Sequence, residues 1–187
     1  DEYDNNKGFD RLSRATDVAI FTIGSKTYAI VTAGSLDHGV QIIDVSDPTN
    51  IVAKDSARYN HTDMKIYSAY GVETFTIGSS TYAIVTSQGG SGGVQIIDVS
   101  DPTNIVAKDA ASVGEDGFEE LLWAHDVEIF TNGASTYAIV TARADHGVQI
   151  IDVSDPTNIV ALDDKDYQRD RADGFVNLSG ARGVDTF

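Results

Sequence analysis

Apolar residues along this chain fall in short runs rich in Val, Ile, Tyr and Phe, separated by Gly, Ser, Asp and Pro. In the middle of the chain, residues 72–77 and 82–86 (YAIVT) predict two strands joined by a turn at Gly78-Ser79-Ser80, with Gly supplying a positive φ. A Gly/Ser loop over residues 88–93 leads to a third strand, 94–99 (VQIIDV), and a fourth begins at Ile105. Between them, Pro102 pre-sets φ for a type I turn and the Asp101 carboxylate is placed to accept from the turn amides. The unit is a four-stranded antiparallel meander. Its strands are nearly continuous in Val and Ile rather than alternating, the pattern of a sheet covered on both faces. The exception is FEELLWA, residues 118–124, which predicts one short helical turn.

The pattern recurs. GVQIIDVSDPTNIVA is found unchanged at residues 39–53, 93–107 and 147–161, an offset of 54 residues each time. Upstream lie FTIGSKTYAIVT from Phe21, FTIGSSTYAIVT from Phe75 and FTNGASTYAIVT from Phe130, and before these Ala-x-[Asp/Gly]-Val at Ala15, Ala69, Ala124 and Ala181. Such a period is the mark of a repeat architecture. Blades stacked face to face around an axis cover both faces of each sheet. The predicted fold is therefore all-β: a β-propeller built from four-stranded antiparallel blades, with three full repeats of about 54 residues and partial repeats at both ends. The divisions are a preceding tail (1–16), blade repeats at 17–70, 71–125 and 126–182, and the first strand of a further repeat (183–187).

Propellers close with about four to eight blades. Three blades leave apolar faces to cover, so protein partners or self-association are expected: a head-to-tail ring of two chains, assembly through residues 183–187, or completion by further sequence of a longer polypeptide.

The Ala-x-[Asp/Gly]-Val opening, the YAIVT strand and the GVQIIDVSDP segment together resemble the LVIVD-repeat family of β-propellers, over essentially the whole chain. The longer GVQIIDVSDPTNIVA style resembles large, acidic, many-repeat surface proteins of marine archaea. The resemblance implies a secreted or cell-surface propeller with no established catalytic role. Family blades are commonly nearer forty residues; the extra length here sits in the linkers from strand four to the next strand one, where binding would diversify.

Charge narrows the partners. With 29 Asp and Glu against 13 Lys and Arg the net charge is −16, which argues against nucleic acid and anionic membrane surfaces and favours solubility, cation binding or salty surroundings. No cysteine is present, so disulfides, thiolate metal sites and a cysteine nucleophile are excluded. No apolar run is long enough to span a membrane.

Three features carry candidate chemistry. At the opening of strand one, Thr16-Asp17, Tyr70-Gly71, His125-Asp126 and Arg182-Gly183 change from repeat to repeat inside an otherwise copied frame. In a propeller these positions line the mouth of the central channel, so Thr16, Asp17, Tyr70, His125, Asp126 and Arg182 are the candidate ligand-binding residues. Second, Asp163, Asp164, Asp166, Asp170 and Asp173 gather carboxylates suited to calcium, although Lys165 and Tyr167 break the EF-hand spacing. Calcium is the one candidate cofactor. Third, Asp37-His38-Gly39 and Asp145-His146-Gly147, replaced by Ser91-Gly92-Gly93 in the second repeat, read as hairpin turns ending in a Gly of positive φ.

The four histidines, His38, His61, His125 and His146, occupy three different repeat positions, and no nucleophile or phosphate-loop motif is present. The functional expectation is a non-catalytic structural or binding module acting through its linkers and channel mouth. The alternatives are an enzyme with its site around His125, Asp126 and Arg182, and a calcium-stabilised assembly or adhesion module.

Overall fold

The structure, a computed structural model, describes residues 8–34, 37–60, 62–90, 92–166, 169–175 and 177–186. His61, Ser91, Tyr167 and Phe187 lie outside the described residues. The chain folds into three four-stranded antiparallel sheets, the blades of a propeller of repeats. The first holds β1 (Ala15–Ile23), β2 (Lys26–Ala33), β3 (Gly39–Asp44) and β4 (Val52–Arg58). The second holds β5 (Ala69–Ile77), β6 (Ser80–Ser87), β7 (Gly93–Asp98) and β8 (Val106–Ala111). The third holds β9 (Ala124–Asn132), β10 (Ser135–Ala142), β11 (Gly147–Asp152) and β12 (Val160–Asp166). A single 3₁₀ turn, Arg171–Asp173, is the only helical segment among the described residues.

The turns form as their residues dictate. Ile77 pairs with Ser80, so a two-residue hairpin joins β5 to β6, and Gly78 takes a φ of +63° at its first corner. In the third-to-fourth strand turn, Asp101 Oδ1 accepts from the Thr103 amide (2.9 Å) and hydroxyl (2.6 Å). Residues 118–124 form no helix: Phe118 pairs in a bridge with Glu115, and a turn delivers the chain into β9. Phe118 and Leu121 are pulled into the core by burial, and that outweighs the weak local helical preference.

Both faces of a blade are apolar because the core lies between blades. Phe21, Tyr28, Ile30, Val40 and Ile42 of the first blade pack on Val72, Ala83, Val85, Ile97 and Val99 of the second, sealed by Met64 and Ile66 from the linker. The other face of the second blade (Phe75, Ile84, Val94, Ile96) packs on Val127, Ala138, Val140, Ile151 and Val153 of the third, with Phe118 and Leu121 taking the linker's part. On the first blade's far face, Val18 and Ile20 stay exposed.

A buried glutamine pins each linker to its blade. Gln95 Oε1 accepts from the Lys65 amide (2.8 Å) and its Nε2 donates to the Asp109 carbonyl (3.0 Å). Gln41 does the same for Asp10 and Asp55, and Gln149 for Glu119 and Asp163.

The Asp-His-Gly segments are turns, with a different glycine role from the one expected. His38 and His146 themselves take the positive φ (47° and 61°). Gly39 is needed for close approach, since a Cβ there would lie 2.3 Å from the Ala57 carbonyl oxygen. The two side chains clasp successive linkers. Asp37 Oδ2 accepts from the Ser13 amide (2.7 Å) and His38 Nδ1 from the Ser68 amide (3.1 Å). Asp145 and His146 repeat this with Leu122 (2.6 Å) and Gly180 (2.8 Å).

Candidate functional site

The inner strands of successive blades run side by side, β1 against β5 and β5 against β9. Their opening ends bring the six residues singled out in the sequence, with Gly71, around one pocket of about 190 Å³: Thr16, Asp17, Tyr70, His125, Asp126 and Arg182. Threonines of one blade hold the inner strand of the next. The Thr16 hydroxyl donates to the Tyr70 carbonyl (2.9 Å), and the Thr86 hydroxyl to the His125 carbonyl (3.0 Å). Gly71 is required here because a Cβ would lie 2.7 Å from the His125 carbonyl oxygen.

Both carboxylates that line the pocket do structural work. Asp17 accepts from the Val18 amide through Oδ1 (2.8 Å) and from the Val72 amide of the next blade through Oδ2 (2.9 Å). Asp126 holds Val127 (3.0 Å) and Val184 (3.0 Å) in the same way. The His125 ring rests on Tyr70, centroids 4.2 Å apart. Burial, then the positive charges of Arg182 and Arg143, lower its proton affinity, opposed by a hydrogen bond with the Arg182 backbone and by the Asp126 charge. A larger hollow of about 370 Å³, lined by Asp109, Glu115, Phe118 and Ile159, lies away from the inner strands.

Sequence reasoning passed over two glutamates. Glu73 and Glu128 sit at equivalent positions on β5 and β9, two residues beyond Gly71 and Asp126, where the first repeat has Ala19. Partial burial raises the Glu73 carboxyl above the ordinary glutamate range, and the charges of Glu128 and Asp17 add to the effect. Its hydrogen bond from the Thr74 amide (2.7 Å) opposes the rise. The signal was available: this position also varies inside the copied frame.

The acidic tail is organised around a cation of the chain itself. Arg169 pairs with Glu120, Asp164 and Asp166. Asp170 accepts from the Asp166 amide (2.9 Å), Asp163 pairs with Lys165 (2.6 Å), and Asp173 ends the 3₁₀ turn. Among the described residues no three His, Asp or Glu side chains are grouped to hold a metal ion. Glu120 is the unusual member: burial first, then the charges of Asp145, Asp166 and Asp164, push its pKa up to about 8 against the pull of Arg169.

Fold and mouth together define a propeller protein whose inner strands converge on a polar pocket. The LVIVD repeat family model matches residues 26–58, 80–110 and 136–162, one segment in each blade, and the chain belongs to the LVIVD-repeat propellers. No curated protein sequence matches it. Solved structures of similar fold include an exo-β-1,3-galactanase from Phanerochaete chrysosporium with β-1,3-galactotriose, at 13% identity and TM-score 0.57, covering 83% of this chain and 39% of that one. A family 117 glycoside hydrolase from the marine bacterium Zobellia galactanivorans is similar at 12% identity and TM-score 0.56, with 86% and 57% covered. A family 43 arabinoxylan arabinofuranohydrolase from Bacillus subtilis in complex with cellotetraose follows at 10% identity and TM-score 0.53, with 82% and 40% covered.

The chain thus spans roughly two fifths to three fifths of the length of these structures. Identities this low establish the fold alone. The shared fold nevertheless corrects the expectation of a non-catalytic module and the judgement that the chain is not an enzyme: solved glycoside hydrolases carry this fold, and the enzyme alternative is the better supported one.

Proposed function

We propose that the channel mouth is a glycoside-cleaving site in which Glu73 donates the proton. The supporting observation is the carboxylate set at the inner strands: Glu73 is held toward its protonated form by burial, with the charges of Glu128 and Asp17 acting on it. Glycoside hydrolysis commonly uses such a pair, one carboxylic acid and one carboxylate. Glu73 passes its proton to the glycosidic oxygen as the bond from that oxygen to the anomeric carbon breaks. Glu128 takes a proton from the water that attacks the same carbon, so glycoside and water yield two sugars. Tyr70 and His125, in contact at a tilt of 50°, line the pocket and offer ring faces on which a sugar can lie.

The test is release of reducing ends from a panel of neutral and acidic oligosaccharides. Glu73→Gln is expected to lower kcat on the best substrate by about 100-fold or more, the range for losing a general acid, with little change in melting temperature. The alkaline limb of the pH–rate profile should lie above the range of an ordinary glutamate. Full activity in Glu73→Gln, or no hydrolysis of any member of the panel, would overturn the reading.

A further inference from the structure

In a chain of net charge −16, one guanidinium group lines the pocket and the charge of a second acts on the pocket histidine, and neither is ion-paired among the described residues. Ion pairs among the described residues engage Lys26, Lys54, Lys108, Lys165 and Arg169, and neither Arg143 nor Arg182 joins one. Arg182 lines the pocket, and the charges of both arginines act on His125. Arg143 lies over the indole of Trp123, 5.5 Å from its centroid, and that indole belongs to a residue left 45% exposed on the linker two residues before His125. Asp17 and Asp126 keep their charge but direct both carboxylate oxygens at backbone amides, and neither forms an ion pair with an arginine.

The surface therefore joins aromatic rings, Trp123 beneath Arg143 and the tilted Tyr70–His125 pair, to two guanidinium groups outside the ion pairs of the described residues. Aromatic faces suit the apolar face of a sugar ring, and guanidinium groups suit planar or tetrahedral anions. We infer that the glycan taken by this mouth is anionic, bearing carboxylate or sulfate groups that Arg143 and Arg182 bind while its rings lie on Trp123 and Tyr70. The inference rests on the glycoside reading above and names its substrate class.

The chain's negative charge repels such a glycan at long range. Binding is therefore read at an ionic strength of about 0.15 M, where fields decay over about 8 Å. Calorimetry on the intact chain would use three size-matched probes: a neutral galacto-oligosaccharide, an oligouronide and a sulfated galacto-oligosaccharide. At least one anionic probe is expected to bind about tenfold or more tighter than the neutral one, and Arg143→Gln and Arg182→Gln are each expected to weaken it about tenfold, the scale of one lost charged hydrogen bond. Preference for the oligouronide assigns the anion as carboxylate, and for the sulfated probe as sulfate. Trp123→Ala should weaken neutral and anionic probes alike. Equal binding of neutral and anionic probes, or undiminished anionic binding in both arginine variants, overturns the inference and leaves the glycoside reading standing. Failure of all three probes to bind overturns both. Matching melting temperatures of the glutamine variants and the parent chain exclude misfolding as the cause of a loss.

Discussion

Single residues in this protein carry roles that their type alone does not announce. Glu120 is nearly buried among Asp145, Asp164 and Asp166, with one cation, Arg169, to balance them. Its folded pKa of about 8 lies above the ordinary glutamate value of 4.5, so folding favours the protonated form. That contribution to stability is complete below about pH 4.5 and is lost as pH rises through about 8. The melting temperature of the parent chain relative to Glu120→Gln should therefore fall between pH 5 and pH 8.5. Parallel profiles would show that the carboxyl titrates normally. His38 and His146 make the same point about residue type. A histidine in a copied motif suggests chemistry, yet each takes a left-handed turn and accepts a linker amide.

At the scale of the element, the fourth strand of each of the first two blades reaches across to the next blade through one aspartate. Asp55 Oδ2 accepts from the Ile105 amide (2.7 Å), and Asp109 Oδ2 from the Ile159 amide (2.8 Å). Asp163 is their equivalent in the third blade, where its exposed carboxylate pairs with Lys165 instead. Asp109→Ala should cost about 1–3 kcal/mol in urea unfolding, because a part-buried amide loses its charged acceptor. Asp163→Ala should stay within about 0.5 kcal/mol. Equal effects would mean that the contact between blades contributes nothing particular. The meander and its turns could be read from the sequence, because Gly78, Pro102 and the β-branched runs fix them locally. The linkers could not be read so well. Their conformation is set by Gln41, Gln95 and Gln149, whose partners lie about 30 residues away.

Over the whole molecule, stability belongs to the junctions between blades, as expected for a repeat array. Ile30 and Ile84 are fully buried at the two junctions, while their equivalent Ile139 is only half-buried. Ile30→Ala and Ile84→Ala should each cost about 2–5 kcal/mol. Ile139→Ala should cost about 1–2 kcal/mol, in keeping with its smaller buried area. Three equal losses by chemical denaturation would place the core within sheets rather than between them.

The sequence by itself determined the blade. Period, strand order and turn chemistry are local, and a copied string of fifteen residues repeats them without ambiguity. It also marked the positions that line the inner-strand pocket, because variation inside a copied frame is visible without coordinates. Only the tertiary structure decided what those positions do. Asp17 and Asp126 became bridges between blades, since the amides they accept from are brought to them by the neighbouring inner strand. The acidic tail closed on Arg169, and Glu73 gained its raised pKa from burial and from charges on two other strands. Proton affinity depends on desolvation and on neighbours distant along the chain, and both exist only once the blades are stacked.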